Sequence, residues 1–230
     1  MLNAQSSETA FEVIHVEIDG TTTLSTVLVK LLDDALNQVE DLGETAVLVI
    51  RVTGSEDSAV SHRWPGQANI HAVNKWERAL RRLERAASTT LVLAEKNCSA
   101  LALELLLVAD RRLARSDLRI QMAAPATWPS MATYRLVNQI GYARSRKLVL
   151  FGVELRAELA MQLDIIDGIV DHSDFEAVAN ASLRESAASA DIALRRRLLQ
   201  DDLSCGFDEA LGVHLAACSR ILLRQRSDVS

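Results

Sequence analysis

The chain has 230 residues, of which 49% are hydrophobic and 24% are charged, and its formal net charge is −6 at pH 7. These values are typical of one globular domain with an appendage and a sizeable core. The negative charge argues against nucleic-acid binding and against attachment to an anionic membrane. The three cysteines, Cys98, Cys205 and Cys218, are widely spaced. This pattern favours buried reduced thiols over disulfides or a metal site.

The beginning of the chain carries no basic segment followed by an apolar run. No window reaches the roughly 18 uncharged apolar residues that a membrane helix needs. We therefore predict a cytoplasmic protein without membrane attachment. Residues 1–10 are polar and are expected to be flexible.

The hydrophobic pattern predicts alternating strands and helices up to about residue 121, which is typical of an α/β layered fold. The predicted order is strand Phe11–Ile18, a helix with an apolar stripe from Val27 to Val39, strand Ala46–Val52, helix Ile70–Ala87, strand Thr89–Ala94, a helix containing Glu104 and strand Leu118–Gln121. Gly43 lies where a glycine often ends a helix.

Two short helices are predicted after residue 130, and after Asp171 the pattern becomes almost wholly helical. The predicted helices are Tyr134–Ile140, Ala143–Phe151, Ser173–Ser189, Asp191–Leu203 and Phe207–Arg224. The last three are too few to form much of a core of their own, so we expect them to pack on the body or on a neighbouring subunit. The predicted division is a core over residues 11–171 and a helical segment over residues 172–230.

Glu104 is the most informative residue of the pattern. On a 3.6-residue period it shares one apolar stripe with Leu101 and Leu105. Burial of an unpaired carboxylate is costly, so Glu104 requires a partner or has a chemical role. Spacing alone favours a structural ion pair with Arg111 or Arg112 over a role in proton transfer.

Four passages, taken in order, resemble the crotonase (enoyl-CoA hydratase/isomerase) superfamily over about residues 11–225. They are Val47–Gly54, the strand–turn–helix stretch Thr89–Ala114, Arg135–Gly152 and Val153–Asp171. The resemblance implies an α/β fold built as a spiral of ββα units, with a C-terminal helical segment that forms trimers or pairs of trimers.

A closer resemblance is to the DpgB-type auxiliary crotonases of dihydroxyphenylglycine biosynthesis, a pathway of antibiotic amino-acid formation. Three passages carry it, Val73–Glu84, Ala124–Leu136 and Ala210–Arg224. It implies a hydro-lyase that acts on a CoA thioester beside a malonyl-CoA-using type III polyketide synthase and sister crotonases. That enzyme would assist dehydration and aromatisation to 3,5-dihydroxyphenylacetyl-CoA, with an activity that is weak or depends on the synthase.

The resemblance also implies roles for particular residues. Matched by their spacing, Glu104 and Asp110 fall on the family's Glu and Asp, and Glu104 becomes the acid/base. The oxyanion-hole N–H groups fall on Leu101 and on a first-loop residue, Ser61 or His62. Such N–H groups stabilise the charge that develops on the thioester oxygen.

The family's glycines are replaced in this chain by Ala100, Leu101 and Ala102, with Lys96 at an earlier glycine position. The family's second catalytic Glu maps to Ala124. Its loss argues against ordinary hydration through two carboxylates. One carboxylate suits enolisation, or elimination of water from an activated β-hydroxy thioester.

Substrate and CoA contacts are assigned to six residues, namely His71, Trp64, Trp128, Arg63, Lys75 and Arg78. His62 and His71 could transfer a second proton, or be ordinary loop or surface histidines. The two tryptophans could enclose an aromatic product or pack in the core, and the basic residues could bind CoA phosphates or be a solvated face. No metal and no separate cofactor are expected.

Two alternatives to this enzyme remain open. The protein could be a non-catalytic crotonase-fold partner of the synthase, which Leu101, Ala124 and the altered first loop favour. It could instead be a general enoyl-CoA hydratase, which would turn over crotonyl-CoA. The apolar stripe of Phe207–Arg224 is compatible with a homotrimer or hexamer.

Overall fold

The computed structural model describes residues 12–43, 46–57, 64–66, 68–121, 131–170 and 192–202, together with Ala177 and Ala181. The strands are β1 (Glu12–Asp19), β2 (Ala46–Thr53), β3 (Thr89–Glu95), β4 (Asn97–Cys98), β5 (Arg111–Arg115), β6 (Arg119–Ile120), β7 (Leu155–Arg156) and β8 (Gly168–Val170). The helices are α1 (Thr26–Leu42), α2 (Ile70–Glu84), α3 (Ala100–Leu106), α4 (Ala132–Ile140), α5 (Tyr142–Phe151), α6 (Ala157–Gln162) and α7 (Ile192–Asp202). The predicted α/β alternation is confirmed.

The larger sheet has five parallel strands in the order β1-β2-β3-β5-β8. A smaller sheet has the order β4-β6-β7, in which β4 and β6 are parallel and β6 and β7 are antiparallel. Strand β2 is buried over its first five residues, as expected of a central strand of a parallel sheet that is covered on both faces. Alternate residues of β2 enter the main core and a second cluster that contains Val47 and Val49.

Strand β5 is an element that the hydrophobic pattern did not indicate. It begins with two arginines, and only its third and fourth residues, Leu113 and Ala114, are buried. Its place is set by parallel pairing with β3, in which Arg111 lies opposite Leu91. The basic run after α3 is therefore part of the central sheet.

Helix α1 differs in part from its predicted stripe. Its N-cap is Ser25, and the helix ends at Gly43 with φ +69°, as the glycine position predicted. Val27, placed on the buried stripe from the sequence, is 77% exposed. The residues that pack inward are Leu28, Val29, Leu32, Ala35, Leu36 and Val39.

Helix α2 is held by ion pairs on two sides. Arg82 contacts Asp33 and Glu40 of α1, at 2.7 and 2.9 Å. From α4, the buried Arg135 contacts Glu77 and Glu84 at 2.5 and 2.6 Å. Burial of Arg135 opposes its charge, but the hydrogen bonds that it donates to Glu84 and Glu77 outweigh this, so the pKa of Arg135 is raised.

Helix α7 confirms one of the three predicted C-terminal helices. Arg196 joins it to the body by an ion pair with Asp110, at 2.6 Å. The other two, Ser173–Ser189 and Phe207–Arg224, lie largely or wholly outside the described residues, as does the N-terminal segment 1–10. In the part of the chain that the structure describes, no helix has the length and apolar character needed to cross a membrane.

Candidate active site

The candidate site is built around the start of α3, which follows β3 and β4 through a tight turn. Lys96 adopts φ +63° in this turn, a backbone conformation that glycine reaches more easily than lysine. This agrees with the glycine that the resemblance implies at this position. Ser99 then begins α3, and its hydroxyl accepts a hydrogen bond from the N–H of Leu101 at 3.4 Å.

Glu104 is buried in the core, with 2% of its surface exposed. Its Oε2 accepts a hydrogen bond from Nε1 of Trp76 at 2.6 Å, and its Oε1 accepts one from Nε1 of Trp64 at 3.3 Å. The two indole rings contact each other edge to face, with ring centroids 5.5 Å apart. Leu101 and Leu105 are also buried, so the predicted stripe is confirmed and its carboxylate has two indole donors.

The ion pair predicted between Glu104 and Arg112 is wrong. Helix α3 ends at Leu106, and Arg112 lies in β5, where it pairs with Asp167 at 2.6 Å. Arg111, the other predicted partner, is exposed on the same strand. The two indole N–H groups are neutral donors. They supply hydrogen bonds to this buried side chain without adding a charge to the core.

The predicted oxyanion donors are placed only in part. Leu101 lies in the first turn of α3, and its side chain is fully buried. Its N–H is directed to the Ser99 hydroxyl, so its role as an oxyanion donor stays a prediction. Ser61 and His62 lie outside the described residues.

The residues assigned to substrate and CoA fall into three groups. His71, Lys75 and Arg78 are all exposed on α2, spaced so that they share one side of the helix. Trp64 is 3% exposed and packs against Trp76 in the core, which is the packing arrangement considered above. Arg63, Trp128 and the Ala124 position lie outside the described residues. Their proposed contacts stay predictions.

Trp76 is the site residue that sequence reasoning missed. Its position on the buried stripe of α2 was recognised, but its pairing with Glu104 was not. A signal did exist, because a buried indole N–H requires an acceptor and a buried carboxylate requires donors. What the sequence lacked was the information that these two helices meet.

Asp110, which the resemblance places at the family's Asp position, makes contacts that hold the fold together. Its Oδ2 accepts hydrogen bonds from the N–H and the hydroxyl of Thr90, at 2.8 and 2.9 Å. The same oxygen receives Arg196 of α7. Asp110 therefore anchors the end of the α3 segment to β3 and to the C-terminal helix.

Cys98, next to this turn, is a free and buried thiol, as the cysteine pattern predicted. Burial, with a smaller contribution from the charge of Glu95, raises its pKa to about 12. Cys205 and Cys218 lie outside the described residues. Within the described ranges, no group of three or more His, Cys, Asp or Glu side chains is arranged to hold a metal ion.

Comparison with known proteins identifies the family, although no family model matches the chain. A protein described as an enoyl-CoA hydratase from Amycolatopsis orientalis is 36% identical over 215 residues, which cover 91% of this chain and 96% of that protein. The chain belongs to the enoyl-CoA hydratase (crotonase) family. The resemblance seen in the sequence is thus confirmed at the level of the family.

Solved structures confirm the crotonase fold. The enoyl-CoA hydratase from Bacillus anthracis superimposes with a TM-score of 0.77 at 18% identity, covering 93% of this crotonase and 88% of that chain. An enoyl-CoA hydratase/isomerase family protein from Silicibacter pomeroyi gives a TM-score of 0.75 at 16% identity, covering 93% and 96%. At such identities these structures establish the fold alone.

Proposed function

We propose that this crotonase acts on an acyl-CoA thioester as an enoyl-CoA hydratase-like lyase, with Glu104 as its proton-transfer group. The observation that carries the proposal is the buried carboxylate of Glu104, held by two indole donors in a member of this family. Burying an ionised group is costly. A function for the carboxylate explains why the core contains an ionisable side chain at this position.

The proposed chemistry requires one carboxylate. Glu104 removes a proton from Cα of the thioester, the C–H electron pair forms the enolate double bond, and the carbonyl electron pair moves onto oxygen. The N–H of Leu101 and a donor at Ser61 or His62 would stabilise that oxygen. In an elimination, the enolate oxygen re-forms the carbonyl, the enolate electron pair forms the Cα–Cβ double bond, and the Cβ–O bond breaks as the proton held by Glu104 passes to the departing β-hydroxyl group. Water leaves, and the carboxylate is restored.

For the substrate, we propose a malonyl-CoA-derived polyketide intermediate that is dehydrated and aromatised to 3,5-dihydroxyphenylacetyl-CoA. The support is the resemblance of Val73–Glu84, Ala124–Leu136 and Ala210–Arg224 to the DpgB-type auxiliary crotonases. Ala124 in place of a second Glu also fits an elimination better than hydration. The proposed partners are a type III polyketide synthase and sister crotonases in the cytoplasm, with a homotrimer or hexamer as the assembly.

A non-catalytic partner of the synthase is the second candidate function. It is favoured by the burial of Glu104, whose two oxygens both accept indole hydrogen bonds. The fully buried side chain of Leu101, where the family has glycine, favours it too. In this alternative the protein would change the product of the synthase without touching the substrate.

The test combines malonyl-CoA and a dihydroxyphenylacetyl-type synthase, with and without this protein, and quantifies the aromatic CoA product. Glu104→Gln is compared with Glu158→Gln, the same chemical change at an exposed position of α6. A second assay follows Cα–H exchange of 3,5-dihydroxyphenylacetyl-CoA in D₂O by NMR. That exchange needs enolisation but no synthase.

The enzyme proposal expects Glu104→Gln to abolish both the gain in product and the exchange, while Glu158→Gln retains both. Equal stimulation of the synthase by wild type and Glu104→Gln, without exchange, would establish the non-catalytic partner instead. If none of the proteins changes the product, the proposed pathway is wrong. Turnover of crotonyl-CoA would then indicate the general enoyl-CoA hydratase.

A further inference from the structure

We infer that Trp76, assisted by Trp64, is a positioning residue that holds the Glu104 carboxylate in one orientation for proton transfer. This inference rests on the proposed function of Glu104. It assigns a role to two indole N–H groups, rather than to the aromatic surface of the two rings.

The two indole N–H groups bind the carboxylate at different distances. The Trp76 bond to Oε2 is 2.6 Å long, whereas the Trp64 bond to Oε1 is 3.3 Å long. Hydrogen bonds to a charged acceptor are stronger and shorter than those between neutral groups. Among the residues that the structure describes, each oxygen accepts one indole N–H, and together these bonds restrain the rotation of the carboxylate and its distance from α2. Trp76 therefore carries the larger share of the positioning.

The helix that carries Trp76 is held by ion pairs on two sides. The residue next to it, Glu77, pairs with the buried Arg135 of α4 at 2.5 Å. One and a half turns further along α2, Arg82 pairs with Asp33 and Glu40 of α1. Helix α2 is thus tied to both neighbouring helices. A side chain on such a helix keeps the precise placement that a proton-transfer group requires.

A purely structural role for the indoles makes a different prediction. If the N–H groups only satisfied a buried carboxylate, their removal would lower stability and leave the chemical step of folded protein unchanged. If they position the carboxylate, their removal lowers kcat in folded protein. The two roles are therefore separated by kinetics of protein that has been verified as folded.

The first measurement is the side-chain N–H spectrum of ¹⁵N-labelled protein, which contains three tryptophans. Single Trp→Phe variants assign the three indole signals. In Glu104→Gln, we expect the Trp76 signal to move upfield most, because it loses its bond to a charged oxygen, and the Trp64 signal to move less. Unchanged Trp64 and Trp76 signals would overturn the inference.

The second measurement replaces Trp76 by β-(3-benzothienyl)alanine, an isostere with sulfur in place of the indole N–H. This change preserves the ring contact with Trp64 and removes only the donor. We expect kcat for Cα–H exchange to fall by on the order of tenfold to a hundredfold, with KM unchanged. In Trp76→Phe, kcat measured on the folded protein should fall by the same factor.

The control is Ser145→Ala, which removes the hydrogen bond from the buried Ser145 hydroxyl of α5 to the carbonyl of Gly141, the N-cap of that helix. It should lower stability and leave kcat unchanged. If the Trp76 isostere keeps wild-type kcat while Glu104→Gln is inactive, the positioning role is wrong and the proposed function stands. If Glu104→Gln retains full exchange, the proposed function itself fails.

Discussion

Arg196 of α7 and Asp110, which lies between α3 and β5, form an ion pair of 2.6 Å with side chains only 12% and 13% exposed. Arg196 also donates hydrogen bonds to the carbonyl oxygens of Ala86 and Ser88. Asp110 accepts the N–H and the hydroxyl of Thr90. One pair of side chains therefore fastens the C-terminal helix to the beginning of two central strands.

Replacement of Arg196 by Ala should lower the free energy of unfolding by about 2–3 kcal/mol, because Asp110 loses its cationic partner and two carbonyl groups lose a donor. Urea denaturation measures the effect. Arg195→Ala, at an exposed position of the same helix, should change stability by about 0.5 kcal/mol or less. Equal losses in the two variants would contradict the assigned role of Arg196.

Arg135→Ala should destabilise the protein by roughly 3 kcal/mol, since it removes a buried cation and leaves Glu77 and Glu84 without their shared partner. Thermal unfolding monitored by circular dichroism measures this loss. The matched change Arg146→Ala affects an exposed residue of α5 and should be almost neutral. A neutral Arg135→Ala would show that the ion pairs do not hold α2 against α4.

Gly54→Ala should be strongly destabilising, by at least about 3 kcal/mol. A Cβ at Gly54 would overlap the backbone carbonyl of Asn97, which cannot move without breaking the pairing of Ser55 with Asn97. Gly43→Ala is the informative comparison, because space there is open and only φ +69° opposes a side chain. Its expected cost is about 1 kcal/mol. A smaller loss at Gly54 than at Gly43 would contradict the close approach.

The raised pKa of the Cys98 thiol predicts that the protein loses stability at alkaline pH. Burial raises its pKa from 9.0 to about 12, so the folded protein holds this proton more tightly than the unfolded chain does. The stabilisation that the protonated thiol gives to the folded protein is complete below about pH 9 and is lost as the pH rises towards about 12. In that window the slope contributed by one group approaches roughly 1.4 kcal/mol per pH unit.

This slope is measured from urea denaturation at several pH values between about 8 and 10.5. Cys98→Ala should lower stability at every pH, because it leaves a small cavity, yet its decline with rising pH should be shallower than that of wild type. Parallel pH profiles for the two proteins would show that the thiol does not titrate differently in the folded state.

Much of the fold could be predicted because periodicity reports burial. The continuous apolar run of β2 indicates burial on both faces, and the stripe of α2 indicates which side of the helix faces the core. Strand β5 was missed because only Leu113 and Ala114 are apolar and buried in it. Its identity comes from pairing with β3, a contact that local sequence does not encode.

In the site, too, the local pattern predicted burial but not the tertiary contacts. The burial of Glu104 followed from its place on a stripe of leucines. Its hydrogen-bond donors could not be predicted in this way. The spacing to Arg112 assumes that the helix continues to that residue, whereas Trp64 and Trp76 lie in distant segments of the chain. The exposure of Val27, on the predicted stripe of α1, is a related error. Periodicity indicates which side of a helix faces the core. Which residues at the edge of that side are buried depends on the element that packs against it.

The donors to Glu104 lie 28 and 40 residues before it in the chain. A folding intermediate that had formed α3 without docking α2 would have to leave this carboxylate in water or protonate it. Docking of α2 therefore brings the Trp76 donor to this carboxylate. The indole signals of Trp64 and Trp76 should therefore report this step of assembly.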